Sequence, residues 1–475
     1  MPLPPLMSAL AAHPVRLVAA TAVLAAVSLA PAARATLAQD LAVGTGYAAD
    51  EICTRTLQSA DDLWRVKWLY TAPDVSALPL IWNVQQQAGY GTTVSTIIPG
   101  AENKRLALYR WGLGCTIIPP GTSVDTVSAQ PFRIHIDPPV NAQVWPQGEG
   151  TAETARVTPG QSAVLTRQSD ALFAETALTI NKRQNTFAVL VAKDGHLIYE
   201  RYREGYTKDQ PQHGWSMTKT LTALLTGMMA SDGRLTLDGS PPVAQLAGGG
   251  KSAITWRQLL QMRSGLQWAE TFGGYGPTAE MLWLQPDHGG YAASLPLASS
   301  PGQPFNYSTG NSSIVSLGLR NALGGGAQAA YDYYQERLFE PLGIRNGVIQ
   351  PDANGTPSGG ARGVLRPRDW LRIGQLILDR GQANGRTVVG ADYIDFMTTP
   401  SPANAGYGAS LWLYGELNMP SDTPRDIVIM WGVKGQYVML IPSKRLAVLR
   451  MGVSFDEADT AQRMFNTMKE LASVF

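Results

Sequence analysis

The sequence predicts a mixed α/β fold of the α+β kind, in which an antiparallel sheet of five or more strands is flanked by helices. Two observations carry that expectation. Phe187 to Lys193 and His196 to Tyr202 are β-prone runs around Asp194-Gly195, a dipeptide whose two residues tolerate the positive φ values of a tight hairpin turn. Far along the chain, Asp426 to Met430, Gln436 to Ile441 and Leu446 to Met451 read as three further strands, the last two joined by Pro442-Ser443-Lys444-Arg445. Mainly helical text separates the two blocks, so segments distant in sequence must meet in one sheet.

The chain has 475 residues, 44% of them apolar and 16% charged, with 48 Gly and 32 Pro spread without period, as in an enzyme rather than a fibre or tail. Residues 1–38 read as an export signal: His13 and Arg16, the apolar run Leu17 to Ala30, Pro31, and small-residue sites at Ala33-Arg34-Ala35 or Thr36-Leu37-Ala38. The run is short for a bilayer, and no later segment resembles a membrane span, so the mature chain is expected to be periplasmic or secreted. Loss of Arg16 and Arg34 turns the formal net charge from +1 to −1. A near-neutral chain without a concentrated basic surface is not a nucleic-acid binder.

Residues 39–169 are irregular and proline-rich, with short β-prone runs at Thr93 to Ile98, Leu106 to Arg110 and Phe132 to Ile136. They read as an extension wrapping a main domain over 170–475. The two cysteines, Cys53 and Cys115, lie in this extension. In an exported chain they are most simply a disulfide; two buried free thiols are the alternative, and neither reading makes them catalytic.

The main domain centres on His213 to Arg234, HGWSMTKTLTALLTGMMASDGR. A helix is expected from Ser216, with Met217, Leu221, Leu224, Leu225 and Met228 on one face and Gly233 after its end. Ser216, Lys219, Thr220, Ala223 and Gly227 share the opposite face, so both faces look buried. Lys219 is the only charge between His213 and Asp232. Burial disfavours its ammonium, and a neutral amine one turn from a hydroxyl can activate that hydroxyl. A lone S-x-x-K is weak, since a structural lysine would leave the same tetrapeptide.

Further on, Ile254 to Met262 reads as a helix opened by Thr255, followed by a loop in which Trp268 lines a cleft or is half-buried packing. Tyr307 precedes a helix over Ser312 to Leu323. A polar, Gly-rich loop, Asp352 to Gly363, leads to an amphipathic stretch over Arg368 to Arg380, and a last helix runs from Asp456 to Leu471. Other chemistries find no support. The mature histidines (His135, His196, His213, His288) are not in H-E-x-x-H spacing, and no G-x-S-x-G, Walker A or strand-linked G-x-G-x-x-G occurs. A serine hydrolase needing no metal and no cofactor is what survives.

The order of hairpin, S-x-x-K helix, tyrosine motif and late glycine-bearing strand resembles the serine β-lactamase and penicillin-binding-protein superfamily over about residues 170–475. GWSMTKT, LLQMRSGLQW, PGQPFNYSTGNSS, RPRDWLRIGQLILDRG and GVKGQYVMLIPSKRLAVLRMG look most like class C-like hydrolases, and among them the 6-aminohexanoate-oligomer (nylon oligomer) hydrolases. The resemblance implies a β-lactamase-like fold with a mostly helical subdomain. It implies Ser216 as nucleophile, Lys219 as its proton acceptor, Tyr307 as relay to the leaving group, and the backbone N–H groups of Ser216 and Val433 as oxyanion hole. Trp268, Asn311, Gly432, Lys434 and Gln436 are the expected substrate contacts. Two departures stand out. The Tyr-x-Asn motif reads Tyr307-Ser308-Thr309, with asparagine only at Asn311, and Met430-Trp431-Gly432 replaces Lys-Thr-Gly. Amide or ester hydrolysis of a small substrate therefore fits better than efficient β-lactam hydrolysis. The alternatives are a penicillin-binding sensor that acylates without turnover, a weak β-lactamase or D-amino-acid peptidase, and a scaffold that kept only the fold. Oligomeric state is not legible.

Overall fold

A computed structural model describes residues 36–475 except 76–77, 98–102, 138, 176–178, 272–273 and 416–418. The export signal expected over 1–38 lies outside the described residues as far as position 35. Leu37–Cys53 (α1) begins at a capping box in which the Thr36 hydroxyl accepts from the Gln39 N–H and the Gln39 side chain accepts from the Thr36 N–H. Every residue of α1 from Leu41 to Cys53 is buried. Its glycines permit close approach: a Cβ on Gly46 would lie 2.7 Å from the Cβ of Trp283.

Trp82–Gln87 (β1), Gly91–Thr96 (β2), Lys104–Arg110 (β3) and Gly114–Ile118 (β4) follow as an antiparallel meander in sequential order. The strand expected at Phe132 to Ile136 is not one. That segment finds no partner strand, and side chains take its backbone instead: Arg133 N–H donates to Gln328 Oε1 (2.7 Å) and His135 N–H to the Tyr331 hydroxyl (3.1 Å). The extension does more than wrap, because Leu41, Ile52 and Ile117 belong to the same buried apolar cluster as Leu190, Leu224 and Leu449.

After Pro159–Phe173 (α2) come Thr186–Lys193 (β5) and His196–Tyr202 (β6). Their turn has φ of +52° at Asp194 and +82° at Gly195, the conformation that dipeptide predicts. Gln212–Trp215 (β7) leads into Thr218–Ser231 (α3). Then come Trp256–Leu260 (α4), Thr309–Leu323 (α5), the short strands Val348–Ile349 (β8) and Gly363–Leu365 (β9), and Pro367–Leu378 (α6). Trp412–Leu413 (β10), Val428–Gly432 (β11), Gln436–Ile441 (β12), Leu446–Gly452 (β13) and Glu457–Val474 (α7) complete the chain.

Six of these strands form the antiparallel main sheet in the order β10-β11-β12-β13-β5-β6. The late block joins the early hairpin between β13 and β5, where Leu446 faces Lys193 and Val448 faces Val191. Alternation then sorts the side chains. Ala188, Leu190 and Ala192 point to the core shared with α3 and α6, whereas Val189 and Val191 point to a second core closed by α2 and α7. Strands β12 and β13, covered on both faces, are buried at every residue.

Cys53, the last residue of α1, and Cys115 in β4 are joined in a disulfide. Between them runs a buried ion pair in which Arg362 grips Asp50 of α1 and also donates to the Cys115 carbonyl (2.7 Å). The disulfide therefore clamps the two elements that hold Arg362. Replacing both cysteines by alanine should lower unfolding free energy by about 2–5 kcal/mol, read as a lower denaturation midpoint in the double variant. A midpoint equal to the parent's would deny the bridge that role.

Candidate active site

A strained turn presents Ser216. Gly214 passes so close to α6 that a Cβ would lie 2.1 Å from the Trp370 ring, and Trp215 holds a left-handed φ of +49°. That conformation costs a non-glycine residue roughly 1–3 kcal/mol, and stacking of its ring on His213, centroids 4.1 Å apart, helps hold it. The helix starts at Thr218, two residues later than Ser216 predicts, and Ser216 does not cap it. The hydroxyl turns instead to Lys219, with Ser216 and Lys219 kept one turn apart by the bond from Lys219 N–H to the Ser216 carbonyl (3.0 Å). Strand, sharp turn and helix thus appear without the G-x-S-x-G signature.

Lys219 is 1% exposed and Ser216 9%. The Lys219 Nζ lies 2.8 Å from Ser216 Oγ, 2.9 Å from Thr309 Oγ1 and 2.8 Å from the Gly360 carbonyl oxygen. Burial lowers its pKa from the ordinary 10.5 to about 8, with the nearby Glu270 carboxylate pulling the other way. The Gly-rich loop that brings Gly360 is stitched to α3 by threonines at helical spacing. Thr218 Oγ1 accepts from the Gly363 N–H (2.7 Å), and Thr222 Oγ1 donates to the Gly359 carbonyl (2.7 Å). Threonines four apart in an apolar helix are a sequence signal that would have found this seam, since a buried hydroxyl must find a partner.

Tyr307 stands just before α5, which starts three residues earlier than predicted because Ser308 caps it by accepting from the Asn311 N–H (3.0 Å). The Lys219 Nζ sits 4.8 Å from the Tyr307 ring centroid, and Trp412 backs the ring at 5.2 Å. Burial raises the pKa of the Tyr307 hydroxyl, the Glu270 carboxylate raises it further, and a hydrogen bond with Ser216 opposes them. Tyr307 is therefore a neutral phenol, fit to donate a proton rather than to start by taking one.

The end of β11 meets the same turn: a Cβ on Gly432 would lie 2.1 Å from the Gly214 carbonyl oxygen. Gly432 is thus a close-packing position against the turn that precedes Ser216. The structure gives the other expected substrate contacts partners within the chain. Lys434 is 5% exposed and paired with Asp74 of the extension. The Gln436 side chain donates to the Gly452 carbonyl (2.6 Å) and accepts from the Gly452 N–H (3.2 Å), tying β12 to β13. Asn311 is 2% exposed and its Oδ1 accepts from the Ser264 hydroxyl (2.8 Å). Trp268 lies over Gly310 and its indole N–H donates to Glu270 Oε2 (2.6 Å).

Glu270 itself escaped the sequence reading, because nothing local distinguishes it from a loop carboxylate. Among the described residues, the side chains grouped closely enough to share a metal ion are His135, Asp332 and Glu336. None of the three bonds to the Ser216–Lys219 network.

Solved structures share this architecture at low identity. A Bacillus anthracis protein provisionally described as a 6-aminohexanoate-dimer hydrolase aligns with a TM-score of 0.52 at 18% identity, over 61% of this chain and 81% of its own. EstCE1, a hydrolase with promiscuous acyltransferase activity, gives 0.52 at 17%, over 66% and 100%. A family VIII carboxylesterase gives 0.52 at 14%, over 68% and 99%. The expected fold is thereby found, and the family model described as Beta-lactamase matches residues 173–465, more than half of the chain. This protein belongs to the Beta-lactamase family.

Proposed function

We propose that this chain is an exported serine hydrolase that cleaves an amide or ester bond of a small substrate through an acyl-enzyme on Ser216. The observation that carries this reading is the Lys219 amine, buried in an apolar helix and 2.8 Å from Ser216 Oγ. In its neutral form Lys219 takes the Ser216 proton as Oγ attacks the substrate carbonyl carbon. The oxyanion meets the backbone N–H groups of Ser216 and Val433. Tyr307 then gives its proton to the leaving amine or alkoxide and is reprotonated through Lys219; water attacks the acyl carbon by the reverse route. With Lys434 paired to Asp74, Met430-Trp431-Gly432 offers a substrate carboxylate no cation in place of the missing Lys-Thr-Gly lysine. Uncharged acyl groups fit best. Of the two export cleavage sites, the one after Ala35 keeps the Thr36–Gln39 cap of α1.

The test is a panel of p-nitrophenyl esters, aminohexanoate dimers, D-amino-acid amides and nitrocefin. Steady turnover of an ester or amide supports the reading; one stoichiometric release without a steady state favours a non-turning acceptor. The pH profile adds a sign. The reactive form is neutral Lys219, whose pKa is about 8. kcat/KM should therefore rise about tenfold per pH unit on the acid side and level off above that value. A profile flat through that range would remove Lys219 as the base.

A further inference from the structure

We propose that Glu270 is a positioning residue which, through the hydroxyl of Thr309, aims the lone pair of neutral Lys219 at Ser216. The inference rests on the reading of Lys219 as the base and adds a residue that neither sequence motif nor family resemblance assigns. It follows from a count of protons.

A neutral amine has two N–H groups and one lone pair. The Gly360 carbonyl, 2.8 Å from Lys219 Nζ, can only accept, so one N–H is directed there. Thr309 Oγ1, 2.9 Å away, could in principle donate or accept. Donation would draw the lone pair toward Thr309 and leave an N–H facing Ser216, which cannot take a proton. Glu270 decides between the two. Thr309 Oγ1 lies in hydrogen-bond contact with Glu270 Oε1, a carboxylate that accepts, so the Thr309 hydrogen is spent on Glu270 and its oxygen must accept from Lys219. Both amine hydrogens are then committed, and the remaining direction, the lone pair, faces Ser216 Oγ at 2.8 Å.

Glu270 is held for this task. Its Oε2 accepts from the Thr309 backbone N–H (2.8 Å), the Trp268 indole (2.6 Å) and the Thr278 hydroxyl (3.3 Å). With Oε1 on Thr309, these contacts fix the carboxylate in the orientation that sets the base. Tyr307, before α5, and Glu270, in the loop after α4, are the titratable groups facing Lys219 among the described residues. His213, on β7, keeps its ring on the Ala361 carbonyl (2.8 Å) beyond the Trp215 turn.

The experiment measures the rate at which a fluorophosphonate labels Ser216, against pH, in the wild type, Glu270→Gln, Thr309→Val and Thr309→Ser. This readout requires no proton for a leaving amine and no natural substrate. Glu270→Gln can donate to Thr309 and free its hydrogen for the Lys219 lone pair, and Thr309→Val removes the link. Both should label about 100-fold more slowly at the plateau, the size of loss expected of a misaligned catalytic group. In Glu270→Gln the midpoint should also move to lower pH, because the ammonium loses its carboxylate. Thr309→Ser keeps the hydroxyl and should stay close to wild type. Wild-type rates and midpoints in both Glu270→Gln and Thr309→Val would overturn the proposal. So would equal losses in Thr309→Ser and Thr309→Val, which would point to packing; this pair decides even if Glu270→Gln fails to fold. Failure of the wild type to label at Ser216 is a different result, and overturns the hydrolase reading on which the proposal stands.

Discussion

Ser216→Ala is expected to reduce turnover by on the order of a million-fold, the loss seen when the serine of a cooperating nucleophile–base unit is removed. The fold should survive the change. Lys219 would keep the Gly360 carbonyl and Thr309 hydroxyl as partners, so stability should move by no more than about 1 kcal/mol, the worth of one hydrogen bond. Lys219→Ala should match it in activity loss but not in stability. It strands the Gly360 carbonyl in the core and opens a space beneath Tyr307, so a lower melting temperature is expected as well. Activity in Ser216→Ala equal to wild type, or a fluorophosphonate adduct mapped to another serine, would sink the mechanism.

Tyr307→Phe should damage amide substrates far more than activated esters. The hydroxyl is held neutral by burial and by the Glu270 carboxylate, and it contacts Ser216, so it can pass a proton to the leaving group. An amine cannot leave without that proton, whereas p-nitrophenolate can. General acid catalysis is worth roughly 100- to 10,000-fold, and the amide loss should fall in that range with the nitrophenyl ester loss well below it. A tyrosine that merely packs against Trp412 would affect both substrates alike. Comparable losses on the two, in a variant of normal melting temperature, would take Tyr307 out of the relay.

The parts of the fold legible in the sequence are those written by local rules. The hairpin at Asp194-Gly195 and the strands Gln436–Ile441 and Leu446–Gly452 match or nearly match their predicted bounds. In each, a turn or a run of apolar residues is read within a few positions. The Ser216–Lys219 pairing was legible for the same reason, since a three-residue separation brings the side chains together in any helical turn. Element starts were less legible. Nothing local announced that Ser308 rather than a later residue caps α5, or that Ser216 would sit outside α3. Phe132 to Ile136 has strand propensity, but the Arg133 and His135 N–H groups donate to the distant side chains of Gln328 and Tyr331 instead.

By itself, then, the sequence determined an antiparallel sheet, a buried helix bearing Lys219 one turn after Ser216, and two cysteines in an extension before them. Only the tertiary structure decided what that lysine touches. Gly360 lies 141 residues from Lys219 and Thr309 lies 90, while the hydrogen bonds that link Glu270 to Lys219 run through Thr309. The same holds for Lys434, which pairs with Asp74, an aspartate 360 residues earlier in the extension. Periodicity and turn chemistry act over one or two turns of chain. The partners of a buried amine are instead chosen by which distant segments the sheet brings together, because a polar group taken out of water must be satisfied by whatever packs against it.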